Sequence, residues 1–191
     1  MRFTRAELET FRGATLPDLV GPELRLLFVG VNPGLRTVAV QAHFGRRGNR
    51  FYPALFQAGI VNRLIDASSG FVRDDRAHLL ARGIGITSLV AGATARAEDL
   101  TNAELIAGAR SLSRRVTSLN PRVVAILGIT AYRIAFESPK ATVGRQPQSL
   151  NGAQLWVVPN PSGLNAHATT ASLAVAYREA AIAAGIDIYQ P

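Results

Sequence analysis

The chain has 191 residues, 48% of them hydrophobic, which is enough to bury the core of one domain of ordinary size. It contains no cysteine, so disulfides, thiol nucleophiles and cysteine-bound metals are excluded. Its three histidines, His43, His78 and His167, show no metal-ligand spacing. The formal net charge of +8 makes nucleic acid the first partner to consider.

No apolar run approaches the roughly 18 residues that a membrane span needs. The first residues include Arg2, Arg5 and Glu7, which do not form the apolar region of a secretory signal. We therefore expect a cytoplasmic protein with no membrane partner. We also expect no cofactor, no metal ion and a monomer.

The first part of the chain contains a predicted strand and a predicted helix, separated by a loop. Residues 1–24 mix charges with glycine and proline, and we interpret them as an N-terminal extension ahead of a single domain spanning 25–191. The first strand is predicted at Arg25–Val31. An irregular loop with glycines and arginines follows at 35–48, and a helix is expected at Asn49–Ala58.

The next segments predict a helix, a strand and a longer helix. The first helix runs over Asp74–Arg82 with Asp74 as its N-cap, and it leads into a strand at Ile84–Val90. The longer helix extends to Ser118, with Thr101 as N-cap and Glu104 completing a capping box.

Three arginines lie near the end of this longer helix, at Arg110, Arg114 and Arg115. They suit the negative end of the helix dipole. We interpret them as a solvent-exposed helix end rather than as a DNA contact.

The C-terminal part continues the alternation of strands and helices. Strands are predicted at Val123–Leu127 and Leu155–Val158, and helices at Ile129–Phe136 and Thr170–Ala184. The polar segment Ser138–Gln148 is expected to be a surface loop. This order predicts an α/β fold, a three-layer α/β/α sandwich with a central, mainly parallel sheet of about four to five strands.

Two of the predicted strands end in similar turns, Gly30-Val31-Asn32-Pro33-Gly34 and Asn160-Pro161-Ser162-Gly163-Leu164. In a parallel sheet both turns lie at the carboxyl edge, where ligands bind. An asparagine amide can orient a water or pair with a planar polar ligand, but it is too weak a base to take a proton from a hydroxyl. Each turn taken alone is better explained by a purely structural role.

Taken together, the two turns resemble motifs of the mismatch-specific uracil-DNA glycosylase family, relatives of thymine-DNA glycosylase. Further similar segments lie between and after them in the same order: Asn49-Arg50-Phe51, Gly85-Ile86-Thr87-Ser88-Leu89-Val90, Pro121-Arg122, Ala125-Ile126-Leu127-Gly128 and Ala176-Tyr177-Arg178-Glu179. The resemblance covers roughly residues 24–180.

The resemblance implies a monofunctional DNA glycosylase that initiates base excision repair. Its substrate would be double-stranded DNA with uracil, or thymine or another altered base, typically opposite guanine. The only lysine, Lys140, lies far from both turns in the sequence, which agrees with an enzyme that has no Schiff-base step.

The resemblance also implies roles for individual residues. Asn32 would position the water that attacks the sugar, and Asn160 would hydrogen-bond the flipped base. The base site would include Gly30, Val31, Pro33, Gly34, Thr37, Phe44 and Asn49, with the ring of Phe44 stacking on the base. The DNA contacts would come from Arg46, Arg47, Ser162, Gly163, Leu164, Asn165 and His167, with Leu164 as the wedge that fills the vacated stack.

The chain departs from the family pattern at two places. Ala91-Gly92 stands where relatives carry an acidic residue followed by arginine, and Tyr52 stands where tryptophan is usual. The missing acid supports a second hypothesis, a damage- or mismatch-recognising DNA-binding protein with little turnover. A third, an α/β protein that binds a nucleotide or small phosphate, is disfavoured because the first strand is followed by neither GxGxxG nor a P-loop lysine.

Overall fold

The computed structural model describes residues 3–190 and contains a five-stranded sheet with the strand order β2-β1-β3-β5-β4. The strands are β1 (Leu26–Gly30), β2 (Ile84–Ser88), β3 (Val123–Leu127), β4 (Gly144–Leu150) and β5 (Ala153–Val158). β1 pairs in parallel with β2 and β3, and β3 pairs in parallel with β5. Only β4, among the strands of residues 3–190, is antiparallel to its neighbour. The prediction of a mainly parallel sheet is confirmed.

Helices cover both faces of the sheet. They are α1 (Arg5–Glu9), α2 (Leu35–Ala39), α3 (Phe51–Gln57), α4 (Arg73–Ala81), α5 (Asn102–Leu119), α6 (Ile129–Ala135) and α7 (Thr170–Ala183), with a short 3-10 turn at Ala97–Asp99. No helix within the described range is long and apolar enough to cross a membrane.

Alternate residues of β1 supply the two halves of the core. Leu26 and Phe28 pack with buried residues of α3, α4 and α7, whereas Leu27 and Val29 pack with those of α5 and α6. Side chains of a strand alternate between its faces, so a strand buried on both sides is apolar throughout. The two clusters confirm the three-layer arrangement.

The prediction of a surface loop at Ser138–Gln148 is wrong in its second half, because Gly144–Leu150 forms the edge strand β4. Its residues are mostly exposed and include Pro147, which an edge strand tolerates because one row of its backbone groups faces solvent. The polar composition that indicated a loop is therefore that of an edge strand.

Two smaller predictions are also corrected. Asp74 lies in the first turn of α4, whose N-cap is Val72. Arg115 is half-buried rather than part of a solvated helix end, since its guanidinium donates to the carbonyl of Ser88 at 2.8 Å and forms an ion pair of 3.2 Å with Asp18. By contrast, the predicted capping box of α5 is present.

The segment predicted as an N-terminal extension contains α1 and also forms backbone hydrogen bonds with β2. Leu19 is buried and exchanges two hydrogen bonds, of 2.9 and 2.8 Å, with Ile86. The boundary at residue 24 stays a prediction.

The topology reverses direction at β1, since the chain passes from β1 to β2 on one side and then to β3 on the other. A crevice forms at such a switch point, outside the carboxyl ends of the strands. The loops that follow Gly30, Ser88, Leu127 and Val158 all leave the sheet at this edge.

Candidate active site

The turn after β1 is held against the loop after β2. Sheet-like pairing continues past the strands, with Leu89 donating to the carbonyl of Gly30 at 2.8 Å and Val90 to that of Val31 at 2.9 Å. Asn32 follows directly, half-buried at the lip of the sheet. The local sequence explains the turn, because an apolar strand is followed by Asn-Pro-Gly, residues that favour a change of direction.

The side-chain amide of Asn32 has a defined orientation. Its Nδ2 donates to the carbonyl of Gly92 at 3.2 Å and to Oγ1 of Thr94 at 2.7 Å. The Thr94 hydroxyl gives its own proton to the carbonyl of Arg96 at 2.6 Å, so its oxygen is available to accept. Among residues 3–190, no group donates a hydrogen bond to Oδ1 of Asn32. Asn32 therefore presents an acceptor.

The amide of Asn160 has the opposite polarity. Its Oδ1 accepts a hydrogen bond of 2.8 Å from the backbone nitrogen of Ser162, a turn typical of asparagine. The backbone carbonyl oxygen of Asn160 accepts a hydrogen bond of 3.0 Å from Nδ2 of Asn165. Within the described part of the chain, Nδ2 of Asn160 has no acceptor. Asn160 therefore presents a donor.

Gly128 lies between the two turns, at the end of β3. A Cβ on this residue would lie 3.5 Å from Nδ2 of Asn160 and 3.9 Å from Cγ2 of Val31. These are ordinary van der Waals distances, but its φ of +129° is a conformation that side chains rarely adopt, so the backbone shape requires glycine. The central strand thus brings the two turns together. Gly128 was not among the predicted site residues, although a glycine directly after a buried central strand is a signal for such a role.

Phe44 forms an aromatic platform over the end of β1. Its ring stacks on that of Phe51 with centroids 4.1 Å apart, and a Cβ on Gly30 would lie 3.4 Å from its Cζ. The backbone of Phe44 is left-handed, with φ of +56°, and the preceding carbonyl of His43 accepts a hydrogen bond of 2.8 Å from the buried hydroxyl of Tyr52. Phe44 is only half-buried, so part of the ring is accessible.

Thr37 and Asn49 have structural contacts at the margin of the site. Thr37 is buried in α2, with Oγ1 3.8 Å from the position of a Cβ on Gly34. Oδ1 of Asn49 accepts a hydrogen bond of 2.9 Å from the backbone nitrogen of Phe51, the first residue of α3. Their predicted contacts with a base stay predictions.

Arg50 holds the loop after Asn160 by hydrogen bonds to its backbone. The Arg50 guanidinium donates to the carbonyl oxygens of Ser162 at 2.5 Å and Asn165 at 2.8 Å, and also to that of Ala168. Arg50 belongs to the motif Asn49-Arg50-Phe51 but was not among the predicted site residues. Its partners lie more than a hundred positions away along the chain, so only the folded chain reveals them.

The same loop presents the predicted wedge residue to solvent. The side chain of Leu164 is 75% exposed, which makes it one of the most exposed large apolar side chains in the described range. A Cβ on the neighbouring Gly163 would lie 2.7 Å from the carbonyl oxygen of Gly48, so this loop rests directly on the arginine-containing loop. Arg46, Arg47 and His167 are all exposed around it.

Two buried tyrosines fix the ends of the two loops. The hydroxyl of Tyr177 donates to the carbonyl of Pro159 at 3.0 Å, next to Asn160, and that of Tyr52 supports His43, next to Phe44. Burial raises the pKa of both phenols well above the ordinary value. Both therefore remain neutral donors throughout the physiological range.

The side chains of the two asparagines have no ionisable hydrogen-bond partner among the described residues. Ala91, an exposed residue, occupies the loop position beside Gly92. In residues 3–190 no carboxylate or imidazole hydrogen-bonds to the side chain of Asn32 or Asn160. The described residues also contain no group of three or more histidine or acidic side chains that could hold a metal ion.

A model of the uracil DNA glycosylase superfamily matches residues 17–183, which is most of the chain. The chain belongs to this superfamily. Membership identifies DNA as the partner and DNA glycosylase as the class of activity.

A solved structure supports the same fold. The chain resembles a candidate uracil DNA glycosylase from Methanosarcina acetivorans, whose structure was solved by solution NMR. The TM-score is 0.55 and the sequence identity is 15%. The match covers 88% of this chain and 97% of that one. At this identity the likeness shows a shared fold.

Proposed function

We propose that this protein is a monofunctional, mismatch-specific glycosylase that removes uracil opposite guanine from double-stranded DNA. The observation that carries the proposal is the opposite polarity of two asparagines at one sheet edge. Asn32 presents an acceptor, because its Nδ2 is bound to Gly92 and Thr94, and Asn160 presents a donor, because its Oδ1 is bound to Ser162.

This pair suits hydrolysis of an N-glycosidic bond to a good leaving group. Oδ1 of Asn32 accepts a hydrogen bond from a water whose oxygen attacks the sugar C1′. The bond from C1′ to the base breaks, its electron pair leaves on the uracil anion, and the water's proton passes to solvent. Nδ2 of Asn160 donates to the base as negative charge develops there, which stabilises the transition state.

The loops around the site suit a flipped nucleotide. The half-buried ring of Phe44 offers a face for stacking a base, and the exposed, apolar side chain of Leu164 suits insertion into the vacated position of a duplex. Arg46 and Arg47 are exposed beside these residues and suit phosphate contacts. Because all of these groups come from one chain, we propose that a monomer is sufficient.

Excision from a defined duplex tests the proposal. The substrate is a labelled duplex with one G·U pair, and alkali then cleaves at abasic sites. We expect cleavage at an enzyme excess and a loss of about 10² to 10³ in rate for Asn32→Ala, as for loss of a residue that acts on the reacting atoms. An unchanged rate in Asn32→Ala would refute the water-positioning role. Matched duplexes with G·C and A·U pairs measure the mismatch preference.

The alternative is a damage-recognising DNA-binding protein with little turnover. Ala91 is the observation that favours it, since this exposed loop position offers no carboxylate to assist catalysis. The same experiment separates the two functions. Tight binding to the G·U duplex without any alkali-labile product, at an enzyme excess and long times, would support the binding protein.

A further inference from the structure

Residues 8–16, called here the N-terminal clamp, lie outside the segment 17–183 that matches the superfamily. They nevertheless pack beside the Asn32 turn. We propose that the N-terminal clamp is a positioning element for the Asn32 amide. This inference rests on the proposed function, because it assigns a catalytic consequence to that amide.

Backbone hydrogen bonds join the clamp to the loop after β2. The nitrogen of Gly13 donates to the carbonyl of Ala93 at 2.8 Å, and the nitrogen of Ala93 donates to the carbonyl of Ala14 at 2.9 Å. A Cβ on Gly92 would lie 3.8 Å from Cα of Gly13, so the backbones of the two glycines lie close together. The clamp thus holds the loop after β2 by two backbone hydrogen bonds, both of them to Ala93.

That residue lies between the two groups that orient Asn32. Gly92 and Thr94 flank Ala93, and their carbonyl and hydroxyl oxygens accept from Nδ2 of Asn32 at 3.2 and 2.7 Å. A displacement of Ala93 therefore moves both acceptors. The amide would then lose the contacts that direct its Oδ1 toward a water.

The clamp also packs on the element that follows the Asn32 turn. Its apolar side chains contact Leu35 and Val38 of α2 and the buried Ala93, forming a small cluster of their own. The clamp residues in this cluster are Leu8, Phe11, Ala14 and Leu16. Asn32 lies between α2 and the loop after β2, and the clamp contacts both.

Gly13 offers a sharp test because its constraint is conformational. Its φ is +76°, and a Cβ there would meet no atom within 4 Å, so Gly13→Ala introduces backbone strain without a steric clash. Gly152, at the turn before β5, is a matched control, with φ of +90° and no atom within 4 Å of a Cβ. It lies at the amino end of β5, away from Asn160.

The experiment measures single-turnover excision of uracil from the G·U duplex. We expect Gly13→Ala to slow excision by about tenfold to 10²-fold, in line with a small misplacement of a catalytic group, and Gly152→Ala to leave it unchanged. In the Asn32→Ala background, Gly13→Ala should cause no further loss. Equal effects of the two glycine variants, or effects of Gly13→Ala and Asn32→Ala that multiply, would overturn the inference.

A second measurement does not depend on activity. The ¹H–¹⁵N resonances of the Asn32 side-chain amide, assigned by their absence in Asn32→Ala, should shift in Gly13→Ala and stay in place in Gly152→Ala. Unchanged resonances in Gly13→Ala would refute the clamp. If the wild type excises no uracil while the amide resonances shift, the proposed function fails and the clamp stands. If Gly13→Ala does not fold, Phe11→Leu tests the same contacts through the apolar cluster.

Discussion

The guanidinium of Arg50 donates a hydrogen bond of 2.8 Å to the carbonyl oxygen of Asn165, and so ties the start of α3 to the loop that carries Leu164. Lysine cannot serve several carbonyls from one planar group. We expect Arg50→Lys to lower the free energy of unfolding by about 2 kcal/mol and to slow excision from duplex DNA. Arg178→Lys is the control, since Arg178 donates at 3.1 Å to the carbonyl of Ala58. Equal excision rates in the two variants would contradict the role of Arg50.

Leu164 should matter for duplex DNA and not for the stability of the fold. Its side chain is 75% exposed, so Leu164→Ala should change the free energy of unfolding by no more than about 0.5 kcal/mol. Affinity for a G·U duplex should fall by about tenfold or more, because burying a leucine contributes roughly 1.5–3 kcal/mol. Binding to single-stranded DNA with uracil should be nearly unaffected. A similar loss on both substrates would remove the wedge assignment.

Thr94 should support catalysis through Asn32. Thr94→Val keeps the shape but removes the oxygen that accepts from Nδ2 of Asn32 at 2.7 Å, and a lost hydrogen bond of this kind costs roughly 1–3 kcal/mol. We expect excision to slow by about tenfold or more. Thr94→Ser retains the hydroxyl and should keep most of the rate. If the two variants excise equally, the hydroxyl does not orient the amide.

Arg46 and Arg47 should account for part of the salt dependence of DNA binding. If each neutralises one phosphate, Arg46→Gln with Arg47→Gln should lower the slope of log Kd against log salt by about two. The paired control is Arg110→Gln with Arg114→Gln, two exposed residues of α5 that should not change the slope. Titrations at several KCl concentrations measure it, and equal slopes in both double variants would refute the phosphate contacts.

His43 should make the fold less stable in mild acid. It is buried, and its Nε2 donates to the carbonyl of Pro17 at 3.0 Å, because a carbonyl can only accept. Burial lowers the pKa of His43 below 6.5, although the Pro17 contact and the charge of Asp18 oppose the shift. At pH values between the pKa of His43 in the folded state and 6.5, the unfolded chain therefore binds more protons than the folded protein does. The free energy of unfolding rises with pH across this window and is level above it.

Thermal unfolding between pH 5 and 8 measures this effect. The melting temperature of the wild type should fall as the pH drops below 6.5, the ordinary histidine value, and His43→Gln should flatten the decline. His78→Gln is the comparison, since burial, with the charges of Arg63 and Arg82, also lowers the pKa of His78. If His43→Gln keeps the full decline, His43 is not its source.

Most of the fold could be predicted because its signals are local. The central strands β1 and β3 carry no polar side chain, and α5 has the predicted capping box at Thr101. β4 was missed because an edge strand can be polar, and its composition then matches that of a loop. Arg115 was misread because its partners, Asp18 and Ser88, come from elements distant in the sequence.

The sequence by itself determined the two Asn-Pro turns and their position after buried strands, because apolar runs and turn residues act over a few positions. Only the tertiary structure decided how the amides point. The bond from Asn32 to Thr94 spans 62 positions and that from Arg50 to Asn165 spans 115. Such bonds depend on which strands are neighbours and on where their loops emerge, and no local pattern encodes either.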